Sequence, residues 1–198
     1  MILLIAVALG LVATTLRAKI TGRRLKPIAL KSIWLVFVAG FPQILAFEIP
    51  AIGKLIPESV IPIILIVTQG LLLGFAILNI LTPGVWLLGL GLLGNFLAIV
   101  VNGGWMPISP EVVRKLVPAL PGNYPLEGHR LGLSKDWILT TGEIKLSWLS
   151  DRFTLPAWSS YQVAFSLGDI FIAIGAILLL WSLSNLEKRS KNDFSKSG

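Results

Sequence analysis

Four polar residues could form a site at one end of an otherwise apolar chain. Asn95 and Asn102 are seven positions apart, which puts them on the same face of a helix. Asp169 stands at the start of a later apolar run, and Asp151 lies in the polar segment between them. Since an unpaired amide or carboxylate is costly beside hydrocarbon, we expect these four side chains to satisfy one another as a polar cluster at a membrane boundary.

The same residues also have purely structural interpretations. Asp169 could cap the helix that it begins, because a carboxylate there accepts backbone N–H bonds. Asn95 could simply hold neighbouring helices together. As a functional group, Asp169 would instead pair with Arg130 or Arg152, or face a polar cavity near Asn95 and Asn102.

The remaining candidates for chemistry are weaker. Glu48 lies near one end of an apolar run, and His129, the only histidine, lies beside Arg130. A lone histidine without H-E-x-x-H spacing does not make a zinc site, and the absence of cysteine excludes thiolate catalysis. The sequence therefore predicts no catalytic residue, no cofactor and no metal, and it favours a protein that is not an enzyme.

Composition places these residues in a membrane protein. The chain is 55% apolar with a mean hydropathy of +0.82, too high for a soluble globule. Five apolar runs are long enough to approach a bilayer's thickness, at 2–16, 32–49, 60–81, 85–101 and 166–186. We predict an all-α membrane protein with five transmembrane helices in a single domain, 1–198. The first run could also be a cleaved signal peptide, but its positive charges follow it instead of preceding it.

Basic residues predict the orientation. Six Lys or Arg and no acid lie between Arg17 and Lys31, and four more lie in the basic tail 187–198. The positive-inside rule puts both segments in the cytoplasm and the N-terminus outside. The net charge of +7 then reflects contact with the lipid bilayer, and a nucleic-acid partner is not expected. Tryptophan placement near the ends of the runs agrees with this topology, at Trp34, Trp86, Trp105, Trp158 and Trp181.

The segment 102–165, called the cap below, should lie outside the membrane. Ser109-Pro110-Glu111 begins a short amphipathic helix, which we expect on the outer membrane surface. Thr141-Gly142, flanked by apolar stretches, suggests a hairpin. Four glycines in the fourth run or directly before it predict a helix that packs centrally, at Gly84, Gly89, Gly91 and Gly94.

Three short motifs carry a resemblance to a known family. They are Asn102-Gly-Gly-Trp-Met-Pro107, Trp148-Leu-Ser-Asp151 and Ser166-Leu-Gly-Asp169. In these motifs the chain resembles a bacterial family of small five-span membrane proteins catalogued as a domain of unknown function. The resemblance implies a protein of the bacterial inner membrane and implies no activity.

Three classes of function remain open on the sequence. An accessory or assembly subunit, or a sensor-like component, of a membrane complex is favoured, and other membrane protein subunits would be its partners. A small-solute transporter or channel is the first alternative. An intramembrane enzyme acting on a lipid or lipid-linked substrate is the second, and it would need Asp169, Asp151, Glu48 and His129 to converge.

Overall fold

The computed structural model of the chain describes residues 2–21, 29–121, 124–156, 158–159 and 162–182. The basic tail 187–198 and the residues 22–28 of the basic loop lie outside the described residues. The described chain is mostly helical. Its helices are α1 Ile2–Thr21, α2 Trp34–Gln43, α3 Pro50–Gly53, α4 Ile61–Leu78, α5 Val85–Val101, α6 Pro110–Leu116 and α7 Leu167–Ser182.

Five of these helices correspond to the five predicted apolar runs, although α2 covers only part of the second run, and they pack side by side as a layer. Neighbours pack in the order α2, α4, α5, α7, α1. Three contacts bring the same ends of the helices together. The Arg17 guanidinium lies 4.5 Å from the Trp181 ring centroid, and the Lys31 backbone N–H donates to Asn79 Oδ1 at 2.7 Å. The start of α5 meets Gly175 to Leu179 of α7.

Glycines let α5 lie in the centre of the layer, as their pattern predicts. A Cβ on Gly91 would collide with the Gly168 carbonyl oxygen and lie 2.8 Å from the Ile172 amide nitrogen of α7. On the other side, a Cβ on Gly89 would lie 3.2 Å from Ala76 Cβ of α4. Small residues at these positions therefore allow backbone contact between α5 and its neighbours.

The second apolar run is not one continuous α-helix. Pro42 lies inside α2, which widens immediately afterwards into a π-helical turn, Ile44–Glu48. Proline has no N–H and crowds the preceding turn, so a change of helix geometry at this point is expected. A separate turn, α3, and a 3-10 turn, Glu58–Val60, then lead into α4.

The cap is organised around one short strand. This strand, β1 (Met106–Ile108), pairs in parallel with β2 (Asp136–Ile138), so that Met106 lies opposite Asp136 and Ile108 opposite Ile138. On its other side Ile108 forms a single bridge with Asp151. A second, antiparallel pair joins β3 (Phe153–Thr154) to β4 (Ala164–Phe165).

The hairpin expected around Thr141-Gly142 is wrong. The expected first strand, 137–140, overlaps β2, which pairs instead with β1, thirty residues earlier in the chain. Residues 147–149 form a 3-10 turn instead of the second strand. Pairing of β2 with β1 is favoured because it buries Ile108 and Ile138 in one apolar cluster.

The amphipathic helix is present as α6, and Ser109 caps it, with its Oγ accepting from the Val112 N–H at 3.4 Å. Its expected position on the membrane surface is wrong. Val112 and Val113 are buried against Ile108, Leu126 and Ile138 within the cap. The apolar face of α6 is therefore used inside the cap, which has a small core of its own.

Within the described residues, one helical stretch is both long and apolar enough to cross a membrane, Glu58–Leu78 with 21 residues. Three shorter helices are also apolar: Trp34–Glu48, Val85–Val101 and Leu167–Ser182.

Candidate functional site

A cavity of about 480 Å³ lies between the helices and the cap. Its walls come from α2 with its π turn, α4, α5, α7 and the cap residues around β2 and β4. Five polar side chains reach it from the helical layer: Gln43, Glu48, Gln69, Asn95 and Asp169. A cavity between helices and cap that is lined by both polar and apolar side chains is a candidate site for a ligand.

The cap contributes the other polar groups of the cavity: Lys135, Asp136, Asp151 and Gln162. Apolar side chains fill the space between these groups, including Phe47, Leu72, Leu92 and Ile172. The candidate site is therefore amphipathic, with its charges concentrated on the side of the cap.

An ion pair joins Lys135 to Asp151 at the cavity wall. Lys135 Nζ donates to Asp151 Oδ2 at 2.8 Å, and it lies 4.0 Å from Asp136 Oδ1. The Asp151 side chain is 1% exposed, whereas that of Lys135 is 31% exposed. A buried carboxylate of this kind needs a charged partner, and Lys135 supplies it.

The strand β1 sets the geometry of this pair. The Met106 N–H donates to the Lys135 carbonyl at 3.1 Å, and the Asp151 N–H donates to the Pro107 carbonyl at 3.1 Å. Lys135 and Asp151 therefore flank β1 on opposite sides. The Met-Pro end of the Asn102–Pro107 motif acts as the central support for both.

Burial and the neighbouring charges shift the pKa values of Lys135 and Asp151. Burial acts to lower the pKa of the Lys135 ammonium, but Asp151, Asp169 and Asp136 outweigh it and raise that pKa above its ordinary value of 10.5. Burial also raises the pKa of the Asp151 carboxyl, against the opposing charge of Lys135. Lys135 is thus held as a cation, and the buried Asp151 carboxyl retains a proton more readily than an isolated aspartate does.

Asn95, Ser166 and Asp169 form a closed hydrogen-bond network between α5 and the start of α7. The Ser166 N–H donates to Asp169 Oδ2 at 3.1 Å, and the Asp169 N–H donates to Ser166 Oγ at 3.0 Å. Asn95 Nδ2 donates to Asp169 Oδ1, and Ser166 Oγ–H donates to Asn95 Oδ1, both at 2.8 Å. The reciprocal bonds form a capping box, so Asp169 both caps α7 and faces the cavity.

Glycine completes the Ser166-Leu-Gly-Asp169 motif for a steric reason. A Cβ on Gly168 would collide with Asn95 Oδ1. The motif therefore lets the polar residues at the start of α7 contact the side-chain amide of Asn95 on α5 directly.

The network predicts different effects for two substitutions of Asp169. Asp169→Asn keeps an oxygen for the Ser166 N–H, and Asn95 can turn its amide to match, so we expect a loss below about 1 kcal/mol. Asp169→Ala removes the carboxylate that accepts from the Ser166 N–H and from Asn95 Nδ2, and it leaves both donors unsatisfied. This should cost about 1–3 kcal/mol and loosen the attachment of the segment 102–165. Thermal unfolding and limited proteolysis in detergent measure both effects, with exposed Glu127→Ala as the control. Equal losses for the two Asp169 variants would contradict the network.

Asn102 makes its own contact away from this network. Its Nδ2 donates to the Ala98 and Lys145 carbonyls at 2.8 and 2.9 Å, and the Lys145 N–H donates to Asn102 Oδ1 at 3.0 Å. Gly104 turns the chain next, with a φ of +89° and with Pro62 where a Cβ would stand. Asn102 therefore ties the end of α5 to the cap, while Asn95, Asp151 and Asp169 line the cavity.

Arg130 holds the loop that leads to Lys135. Its guanidinium donates to the Ser134 and Leu133 carbonyls at 2.7 and 2.6 Å. The same group lies 5.6 Å from the ring centroids of both Phe47 and Trp105. Arg130 thus joins the loop to the end of the π turn, and it forms no ion pair with Asp169 in the described structure.

The other weaker candidates lie at the surface. Glu48 is exposed at the edge of the cavity. His129 is exposed, and its carbonyl accepts from the Ile138 N–H at 2.9 Å. The exposed Arg152 has its guanidinium 5.8 Å from the Phe153 ring centroid. His129 and Arg152 do not line the cavity.

Three acceptor oxygens at the cavity have no hydrogen-bond donor in the described part of the chain. They are Gln69 Oε1, Asp136 Oδ1 and Asp151 Oδ1. Their residues are 9%, 7% and 1% exposed, respectively. Since a buried acceptor without a donor is costly, these atoms indicate where a ligand or water would bind.

Sequence reasoning missed Lys135 and Asp136. Their local sequence, Ser134-Lys135-Asp136-Trp137, reads as an ordinary solvated turn before a strand. Only the parallel pairing of β1 with β2 brings this turn onto Asp151, and nothing in the local pattern predicts that pairing. Among the residues that the structure describes, no group of three or more His, Cys, Asp or Glu side chains is placed to hold a metal ion.

Comparison with known proteins gives a family but no activity. No curated protein and no solved structure matches the chain. A family model described as "Family of unknown function (DUF5317)" matches residues 27–181, most of the chain, in agreement with the expected membership of a domain-of-unknown-function family. The chain therefore belongs to the DUF5317 family of unknown function.

Proposed function

We propose that this protein is a five-span protein of the bacterial inner membrane that binds a small solute in the cavity beneath its cap. It would act either as a small transporter or as the solute-binding component of a membrane complex. The single observation that supports this function best is the polar cavity, which extends from the cap to Gln69 near the middle of α4.

The depth of the cavity favours solute handling over a purely structural role. A transporter needs polar groups that reach towards the middle of the membrane. Gln43 and Gln69 bring amides to that depth, and Gln43 Nε2 donates to Thr68 Oγ1 at 2.7 Å. In an assembly subunit without a ligand, the buried and unpaired Gln69 oxygen would lower the stability of the fold with no compensating interaction.

The intramembrane enzyme has less support. Its candidate groups were Asp169, Asp151, Glu48 and His129, and no hydrogen bond joins any two of these in the described structure. Lys135 and Asp151 do meet, but both charges are used in stabilising each other. A binding role accounts for the arrangement with fewer assumptions.

Exposed apolar side chains support contact between the helices and lipid. Large apolar residues are more than half exposed on the outer faces of α2 and α4, among them Phe37 (68%), Phe41 (64%), Ile63 (61%) and Val67 (54%). Trp86 on α5 is 55% exposed. A continuous apolar surface of this kind is expected where a helical layer faces a bilayer.

The contacts between helix ends support an orientation with the N-terminus outside. Arg17, Lys31 and Trp181 lie at the end of the layer opposite the cap. Basic residues and an indole at this end suit a cytoplasmic interface. The cap then lies on the outer side.

Reporter fusions test the proposed topology. Alkaline phosphatase fused after Gly198 should be inactive because that end lies in the cytoplasm. The same enzyme inserted after exposed Thr141 in the cap should be active. Activity at the C-terminus, with an inactive fusion at Thr141, would reverse the proposed orientation.

Cysteine labelling tests the cavity without background because the chain has no cysteine. In lipid nanodiscs, the Gln69→Cys variant should react with charged methanethiosulfonate reagents, since its side chain lines a polar cavity. Val67→Cys, on the same helix but facing lipid, is the matched control and should be inert. If Gln69→Cys is as inert as Val67→Cys towards a cationic and an anionic methanethiosulfonate reagent, the cavity does not admit solutes and the proposed function fails.

A further inference from the structure

We propose that the cavity binds an organic cation, a protonated amine carried on an apolar body. This inference deepens the proposed function and depends on it, since it specifies the class of solute that the same cavity would take. It is supported by the free acceptors of the cavity, its charge balance and its apolar walls.

Three buried acceptors of the cavity are free to bind a ligand. Gln69 Oε1, Asp136 Oδ1 and Asp151 Oδ1 are buried and have no donor among the described residues. Two neighbouring side chains already donate to other carboxylate oxygens: Asn95 Nδ2 donates to Asp169 and Lys135 Nζ donates to Asp151, both at 2.8 Å. A ligand that satisfies this wall must therefore bring N–H or O–H donors.

The charge of the cavity selects a cation among such ligands. Its lining carries the four carboxyl groups of Glu48, Asp136, Asp151 and Asp169, against the single ammonium of Lys135. Three carboxyl groups remain when Asp151, whose burial favours the protonated form, is left out. The guanidinium of Arg130 does not line the cavity and is bonded to backbone carbonyls, but it interacts electrostatically with Asp136. With Arg130 included, the carboxyl groups still outnumber the cations. A cleft with an excess of one sign between low-dielectric walls concentrates the opposite charge.

The remaining walls favour an organic ligand over a metal ion. Phe47, Leu72, Leu92 and Ile172 line the same space. A volume of about 480 Å³ is in the range of pockets for small organic ligands. In the described residues, no cluster of three or more His, Cys, Asp or Glu side chains is placed to coordinate a metal ion.

Reagents of opposite charge test the electrostatic part of this inference. We expect the cationic trimethylammonioethyl methanethiosulfonate to modify Gln69→Cys roughly tenfold or more faster than the anionic sulfonatoethyl reagent. Each rate is normalised to Thr141→Cys, which is exposed on the cap. Adding Asp136→Asn to Gln69→Cys should reduce this preference, while adding exposed Glu127→Gln should leave it unchanged.

Binding of an amine tests the ligand class in the parent protein, where Gln69 is intact. Phenethylamine should raise the melting temperature in nanodiscs, whereas the neutral phenylethanol and the anionic phenylpropionate, of similar shape, should not. The shift should be reduced in Asp136→Asn and retained in Glu127→Gln. If Asp136→Asn does not fold, the rate ratio at Gln69→Cys and the comparison of the three ligands still decide the question.

The outcomes separate this inference from the proposed function. If Gln69→Cys reacts equally with both reagents and the three ligands act alike, the organic cation is refuted and a solute-accessible cavity remains. A melting shift with Mg²⁺ or Na⁺ but none with phenethylamine would also refute it, in favour of an inorganic ion. If Gln69→Cys reacts with neither reagent, the proposed function itself fails.

Discussion

Replacing Lys135 with methionine should lower the free energy of unfolding by about 3–5 kcal/mol, because it leaves the buried Asp151 carboxylate without its partner. Asp151 is 1% exposed and its Oδ2 accepts from Lys135 Nζ at 2.8 Å. We expect a large fall in melting temperature in detergent. Cleavage of the cap by protease should also begin at lower temperature, because both residues flank β1.

Matched variants separate the ion pair from a general effect of losing a lysine. Lys115→Met, on the exposed face of α6, should melt like the parent. The double variant Lys135→Met/Asp151→Leu should recover most of the lost stability, since an apolar pair can replace a buried ion pair. If Lys135→Met melts like Lys115→Met, the pair does not hold the cap.

The pKa of Lys135 gives this comparison a pH dependence. The folded state raises that pKa above 10.5, so the stability from Lys135 is fully present below pH 10.5 and is lost as the pH rises above that value. The difference in melting temperature between the parent and Lys135→Met should therefore be constant up to about pH 10. At higher pH the difference in melting temperature should become smaller.

Replacing Gly91 with alanine should cost about 1–3 kcal/mol, or more where the helices cannot separate. Its new Cβ would collide with the Gly168 carbonyl oxygen, and the Ile172 amide nitrogen would lie 2.8 Å away. Both contacts are with backbone, so α5 and α7 must shift apart. That shift would also disturb the hydrogen bond between Asn95 and Asp169.

Two other glycines serve as graded controls for Gly91→Ala. At Gly94 the nearest neighbour of a Cβ is Leu149 Cδ2 at 3.2 Å, a side-chain atom that can move, so Gly94→Ala should cost less. At Gly74 no heavy atom lies within 4 Å, so Gly74→Ala should be neutral or slightly stabilising. Melting temperatures in one detergent should fall in this order. If all three variants melt alike, the close packing of α5 on α7 is refuted.

The helical layer could be predicted from the sequence because its signal is local. A long apolar run between polar segments must satisfy its backbone internally, and a helix does this within the run. The fourth run, 85–101, matches α5 at both ends for this reason. The second run was less predictable, because Pro42 and the π turn that follows change the helix geometry without interrupting the apolar pattern.

The cap could be predicted only in part, because its geometry depends on distant pairing. The Ser109 cap of α6 is local and was predicted. The partner of β2 is not local, and a plausible turn at Thr141-Gly142 therefore gave the wrong hairpin. The same limit applies to α6, whose apolar stripe does not say whether lipid or the cap covers it.

In the candidate site, too, the residues with a local sequence signal could be predicted and those placed by distant pairing could not. Asn95 and Asp169 stood out because polar groups in or beside an apolar run need partners, and they are bonded to each other at 2.8 Å. Asp151 was found through its motif, but its partner Lys135 was not, because a lysine in a polar turn carries no comparable signal. The contact of that lysine with Asp151 comes from the strand pairing and not from the neighbouring sequence.

Sided labelling of Gln69→Cys tests most directly the claim that the cavity opens beneath an outer cap. The cationic methanethiosulfonate reagent is added to right-side-out and to inside-out vesicles, with Val67→Cys as the lipid-facing control. The proposed structure of the site predicts rapid modification of Gln69→Cys in right-side-out vesicles and little in inside-out vesicles. Modification that is rapid only in inside-out vesicles, or absent in both, would contradict it.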